Sequence, residues 1–155
     1  MDNKQDKKRK VNKDDEVVCK NITNGTLVYV SKKTGAVWEM EGYGATEIFD
    51  VAELVTMKAS YSRILTEPWM VIEDDDVIDY LGLRNIYDKI SVPLTEIDSF
   101  FDKPVTKMEK ALAVAPNGIK TLIASRAITL INEGKLDSVS KIKLIEKTLN
   151  IELLN

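Results

Sequence analysis

The chain contains no histidine and a single cysteine, Cys19. The first absence removes the side chain that most often serves as a general base near neutral pH and as a zinc ligand. It also excludes nucleophile pairs in which Cys or Ser is activated by His. One cysteine cannot close an internal disulfide, which fits a reducing compartment; Cys19 is expected as a semi-buried strand residue. Aromatic residues make up 6% of the chain, so its core must be mainly aliphatic. No apolar run approaches the roughly 18–20 residues that a membrane span needs. No apolar stretch follows the basic N-terminus, so no signal peptide is expected. These absences predict a cytoplasmic protein without membrane contact.

Motifs that commit a chain to chemistry are also missing. Gly42-Tyr43-Gly44 belongs to neither GxGxxG nor GxxxxGK[ST] and reads as a turn that presents Tyr43. Glu73-Asp74-Asp75-Asp76 lacks the spacing of an EF-hand loop and reads as the capped start of a helix. Glu39, Glu41 and Glu47 have no spacing that fixes an acid–base pair. No catalytic residue, metal site or cofactor is therefore expected.

What the chain does have is a division of charge. Residues 17–102 hold 7 Lys+Arg against 15 Asp+Glu, whereas residues 103–155 hold 9 against 5. The overall charge of −3 conceals two regions of opposite sign. Such a division suits contact with a partner or with further copies of the chain.

Residues 1–15 are charged and nearly devoid of apolar side chains, and the expectation is a disordered tail. The basic tetrad Lys7-Lys8-Arg9-Lys10 is nearly balanced by neighbouring acids. From Glu16 the pattern is one of short strands. Val17-Val18-Cys19 leads to Asn24-Gly25, a dipeptide suited to a hairpin turn. Thr26 to Ser31 forms the next strand, Lys32 to Gly35 a second turn, and Ala36 to Glu41 a third strand with Trp38 and Met40 on one face. Thr46 to Phe49 starts a fourth. Asp50 and Glu53 predict a capping box, with Phe49 and Leu54 as its hydrophobic staple. Pro68 to Ile72 reads as a strand, followed by a short helix that Gly82 closes. Both tryptophans, Trp38 and Trp69, are expected to pack in the core.

Beyond Leu83 the strands stop. Thr95 to Asp98 predicts a capped start, and Pro104 opens a helix that Pro116 ends. The longest helix is expected over Ile119 to Glu133, stopped by Gly134. Ser138 caps a last helix with Val139, Ile142, Ile145 and Leu149 on one face. The fold expected is α+β. A small antiparallel β-module over 16–91, SH3-like if it closes into a barrel, carries short inserted helices, and a helical module follows over 92–155.

The order of a tight meander, a strand entering an acid-capped helix (Pro68 to Gly82) and a helical tail resembles the small structural and accessory proteins of tailed bacteriophages. The resemblance rests on the segment from Gly35 to Leu83 and on a Lys-, Asn-, Ile- and Asp-rich texture. It implies an assembly role in a virion and no functional residue. The expected function is that of a non-enzymatic assembly or interaction protein, a virion or head–tail component that meets copies of itself or a protein partner. The expected contact residues are Tyr43, the basic side chains Lys120, Arg126, Lys141, Lys143 and Lys147, and Leu153 and Leu154 of the apolar C-terminal tail. The alternative is a nucleic-acid-associated regulator that uses the basic tail and helices.

Overall fold

The structure, a computed structural model, describes residues 9–154. Five strands, β1 (Glu16–Asn21), β2 (Leu27–Val30), β3 (Val37–Met40), β4 (Thr46–Asp50) and β5 (Met70–Ile72), form two antiparallel sheets of order β4-β1-β5 and β2-β3. With the helices described below, the protein is α+β. Strand alternation sets the core face: Val17, Cys19 and Asn21 of β1 and Leu27 and Tyr29 of β2 are buried, while Val18, Val28 and Val30 are exposed.

The turn at Lys32–Gly35 joins β2 to β3 as expected. Gly35 takes a φ of +77°, and Ser31 Oγ accepts from the N–H groups of Lys33 and Thr34. The hairpin expected at Asn24-Gly25 does not form. β1 pairs with β4 and β5 and not with β2. The reason lies at Asn21. Its buried side-chain amide donates to the carbonyls of Gly25, Met40 and Gly42 at 2.8, 3.0 and 3.0 Å. Its backbone N–H donates to Ala45, and that of Ile22 to Trp69. The end of β1 is thus held by later segments, and the Asn24 loop crosses to the second sheet. Besides the bond from Asn21 of β1 to the Met40 carbonyl of β3, a second side chain joins the two sheets: Trp38 Nε1 donates to the Ile48 carbonyl at 3.1 Å.

Helix α1 (Val51–Ser60) starts as its sequence predicts, with Asp50 Oδ1 accepting from Glu53 N at 2.7 Å. Phe49 and Leu54 are both fully buried in one cluster. Glu53 does not complete the capping box; its carboxylate turns inward and accepts from the Tyr29 hydroxyl at 2.6 Å. The N-terminal segment adds acceptors of its own at this helix start. The carbonyls of Asp15 and Lys13 accept from Val51 N and Ala52 N, both at 3.0 Å. These are first-turn N–H groups that a helix cannot satisfy internally. Val11 packs on the same apolar cluster, and Arg9 meets Asp74 at 2.9 Å. Residues 9–15 are therefore held against the domain, which differs from the expected disordered tail; residues 1–8, including Lys7 and Lys8, lie outside the described part.

Short helices α2 (Ser62–Thr66), α3 (Asp75–Tyr80) and α4 (Arg84–Tyr87) flank β5. α3 is capped by Asp74 and followed by Gly82 at a φ of +70°. A 3-10 turn (Ile97–Asp102) stands where a capped start was expected, without a side-chain cap. It buries Phe100 and Phe101. Then come α5 (Val105–Val114), α6 (Asn117–Asn132) and α7 (Val139–Leu149). Pro116 separates the first two, Gly134 closes the second, and Ser138 caps the third. The stripe of α7 is narrower than expected: Ile142 and Ile145 are buried, whereas Val139 is exposed.

Two apolar clusters result. One holds the inner faces of the strands with α1, α2 and α3; the other holds the 3-10 turn and α5 to α7. They interlock, because Ile22 and Val71 belong to the helical cluster and Tyr87 packs against both.

Candidate functional site

The charged groups singled out in the sequence divide into those engaged within the chain and those left on the surface. Arg126, on α6, grips Asp98 with two hydrogen bonds, Nε to Oδ1 at 2.9 Å and Nη2 to Oδ2 at 2.8 Å. Such a fork-on-fork pair is strong and directional. Lys141, near the start of α7, donates from Nζ to the Phe101 carbonyl at 2.6 Å. Both cations therefore bind the 3-10 turn Ile97–Asp102, Arg126 through the Asp98 carboxylate and Lys141 through a backbone carbonyl, so both are engaged inside one chain. Tyr43 is half-buried and not free on its loop. Its hydroxyl donates to the Leu94 carbonyl, and Lys20 Nζ stands 5.4 Å from its ring centre. Burial pushes the Tyr43 hydroxyl pKa up. Tyr43 and Arg126 line one hollow of about 300 Å³ with Asp98 between them.

The remaining candidates sit elsewhere. Lys120 is half-buried and borders a groove of about 480 Å³ between α6 and the end of α7, with Thr121, Ala124, Leu149 and Ile151. Lys143 and Lys147 are exposed one turn apart on α7. Leu153 is half-buried on the helical cluster, its N–H donating to Glu146 Oε2 at 3.0 Å, while Leu154 is exposed. The eight residues thus do not converge on one site.

The acidic quartet works locally. Asp74 Oδ1 accepts from Asp76 N and Val77 N at 3.1 and 3.2 Å. Arg84 bridges Asp79 at 2.8 Å and Asp75 at 3.2 Å. No group of three or more metal-ligating side chains converges among the described residues. Among the described residues the one buried carboxylate, Glu53, faces Tyr29, whose hydroxyl pKa is driven up by burial and then by that carboxylate. Nothing in the sequence marked this pair, because Glu53 occupies an ordinary capping-box position. Trp38 stacks on Phe49 with ring centres 4.9 Å apart, and Trp69 lies partly buried under Arg63. No described helix is long and apolar enough to cross a membrane.

One surface was not anticipated. Val18, Val28, Val30, Val37 and Ile48 all face outward from the strands, at 40%, 52%, 46%, 61% and 54% exposure. Tyr29 and Trp38, on the inner side of β2 and β3, pack on Phe49, on the inner side of β4, so the two sheets share one core. The outward residues therefore belong to separate sheets, Val18 opposite Ile48 on one and Val28, Val30 and Val37 on the hairpin of the other. The signal for this face is in the sequence: Leu27-Val28-Tyr29-Val30 is apolar at both parities, whereas a strand with one solvated face alternates. Comparison with family models, with curated proteins and with solved structures finds no match to this chain.

Proposed function

We propose that this chain is a non-enzymatic assembly protein that binds copies of itself or a protein partner. The virion or head–tail setting implied by the resemblance to tailed-phage proteins is part of that reading. The observation that carries it is the outward aliphatic face of the β2–β3 hairpin, where Val28, Val30 and Val37 are exposed on one side. Isolated exposed apolar residues need no explanation, but neighbouring ones on one face mark a contact surface. The free basic side chains add a second contact element. With Arg126 and Lys141 engaged internally, these are Lys143 and Lys147, with Lys120 at the α6–α7 groove.

Lys143 and Lys147, one turn apart and exposed, also support the second reading, a nucleic-acid-associated regulator. Light scattering on the full chain at low and high salt, with the 260/280 nm ratio recorded, separates the two. A discrete assembly free of nucleic acid is the expected result. A monomer that carries nucleic acid at low salt and releases it at high salt would replace the assembly reading by the regulator.

A further inference from the structure

We propose that the outer face of the β2–β3 hairpin is a two-fold contact with a second copy of this chain; this rests on the assembly reading and names its partner. In the hairpin, Leu27, Tyr29 and Met40 are buried, whereas Val28, Val30, Val37 and Glu39 are exposed. The register sets Val28 opposite Glu39 and Val30 opposite Val37. The middle of the outward surface is therefore aliphatic. Its ends carry opposite charges. Lys33 is exposed at the tip, and Glu39 and Glu41 are exposed at the far end. The other tip lysine, Lys32, is engaged over the ring of Tyr61 at 4.8 Å.

This distribution is self-complementary under one operation. A two-fold axis through the Val30–Val37 pair lays valine on valine and brings Lys33 of each copy over Glu39 and Glu41 of the other. From the Val28–Glu39 pair to the tip is roughly 15 Å, at about 3.3 Å per residue, so both charge contacts form at once. A parallel arrangement would instead set Lys33 against Lys33 and Glu39 against Glu39. The charges thus select the antiparallel, isologous dimer, in which each patch supplies both halves of every pair. Covering the exposed valines supplies the driving force, and the charges supply orientation.

The test is the solution mass of the full chain by sedimentation across a concentration series, for four proteins of matched thermal stability. The wild type should sediment at twice its 17.4 kDa chain mass. Lys33→Glu should weaken the dimer at least about tenfold, since symmetry makes each reversal act twice. Lys33→Glu combined with Glu39→Lys should restore it, which loss of folding could not do. Val37→Lys should weaken it by about a hundredfold or more, because it places a charge at the aliphatic centre. An assembly unmoved by Lys33→Glu and Val37→Lys overturns this inference and leaves the assembly reading on another face. A wild type that is monomeric at every concentration overturns the two-fold contact, and if it also binds no protein partner it overturns the assembly reading too.

Discussion

Gly118 meets the backbone of Pro68 so closely that a β-carbon on it would lie 1.9 Å from the Pro68 carbonyl oxygen and 2.6 Å from its carbonyl carbon. The Gly118 N–H donates to the Glu67 carbonyl at 2.7 Å. The start of α6 is thereby seated on the chain entering β5, joining the helical part to the strands. Space, and not an unusual backbone angle, requires glycine here. Gly118→Ala should cost about 3 kcal/mol or more, because the atom in the way is backbone and cannot rotate aside. Urea unfolding checks this; a loss under about 1 kcal/mol would mean that α6 shifts freely on its seat.

Asn21 is the second joint. Its Nδ2 carries two hydrogens and faces three carbonyls, and its Oδ1 accepts from Thr23 N and Oγ at 2.8 and 2.7 Å. Removing the amide in Asn21→Ala takes a donor from the buried Met40 carbonyl and from those of Gly25 and Gly42, which keep Thr23 Oγ and Ala45 N, and should cost about 1–3 kcal/mol. Asn21→Asp should be worse, since it sets a buried carboxylate oxygen against those carbonyls. Chemical denaturation of both variants tests the order. Equal stability of Asn21→Asp and wild type would contradict the role given to Nδ2.

Cys19 is fully buried between β4 and β5, and burial pushes its thiol from its ordinary 9.0 up to about 12. Because the folded-state value is the higher one, the fold favours the protonated thiol. That contribution is fully present below about pH 9 and is lost as pH rises toward 12. The Tyr29 and Tyr87 hydroxyls are raised as well and act with the same sign. Stability should be flat from neutral to about pH 9 and then fall, less steeply in Cys19→Ala. The native thiol should also resist disulfide reagents until urea unfolds the chain. Rapid labelling of the native protein, or stability that rises between pH 9 and 11, would contradict this placement.

The N-terminal segment should behave as part of the domain. Removing residues 1–15 takes away the carbonyls of Lys13 and Asp15 from the first turn of α1, the Arg9–Asp74 pair, and Val11. The expected loss is about 1–3 kcal/mol, on the scale of helix capping plus a partly buried side chain. A truncated chain as stable as the full one would reduce the segment to a solvated tail.

Features set by neighbours in the chain were legible in advance. Asp50, Pro104, Pro116, Gly134 and Ser138 mark helix boundaries by local chemistry, and the elements stop within a few residues of them. Features set by distant partners were not. The pairing of β1 with β4 and β5 depends on Asn21 reaching carbonyls up to 21 residues away. The loss of Arg126 and Lys141 as free surface cations depends on Asp98 and Phe101, 28 and 40 residues distant. For the same reason, charge reversal at Lys141 would disturb the fold along with any contact. Lys143 and Lys147 are the cleaner positions for testing the basic surface.

The most direct measurement is the mass of a one-to-one mixture of two reversed chains, Lys33→Glu and Glu39→Lys with Glu41→Lys. In the first the hairpin is acidic at both ends, and in the second it is basic at both ends. Each alone should be monomeric, and the mixture should form a heterodimer of about 35 kDa, twice the 17.4 kDa chain. A mixture that stays monomeric, while the wild type dimerises, would contradict the two-fold hairpin contact.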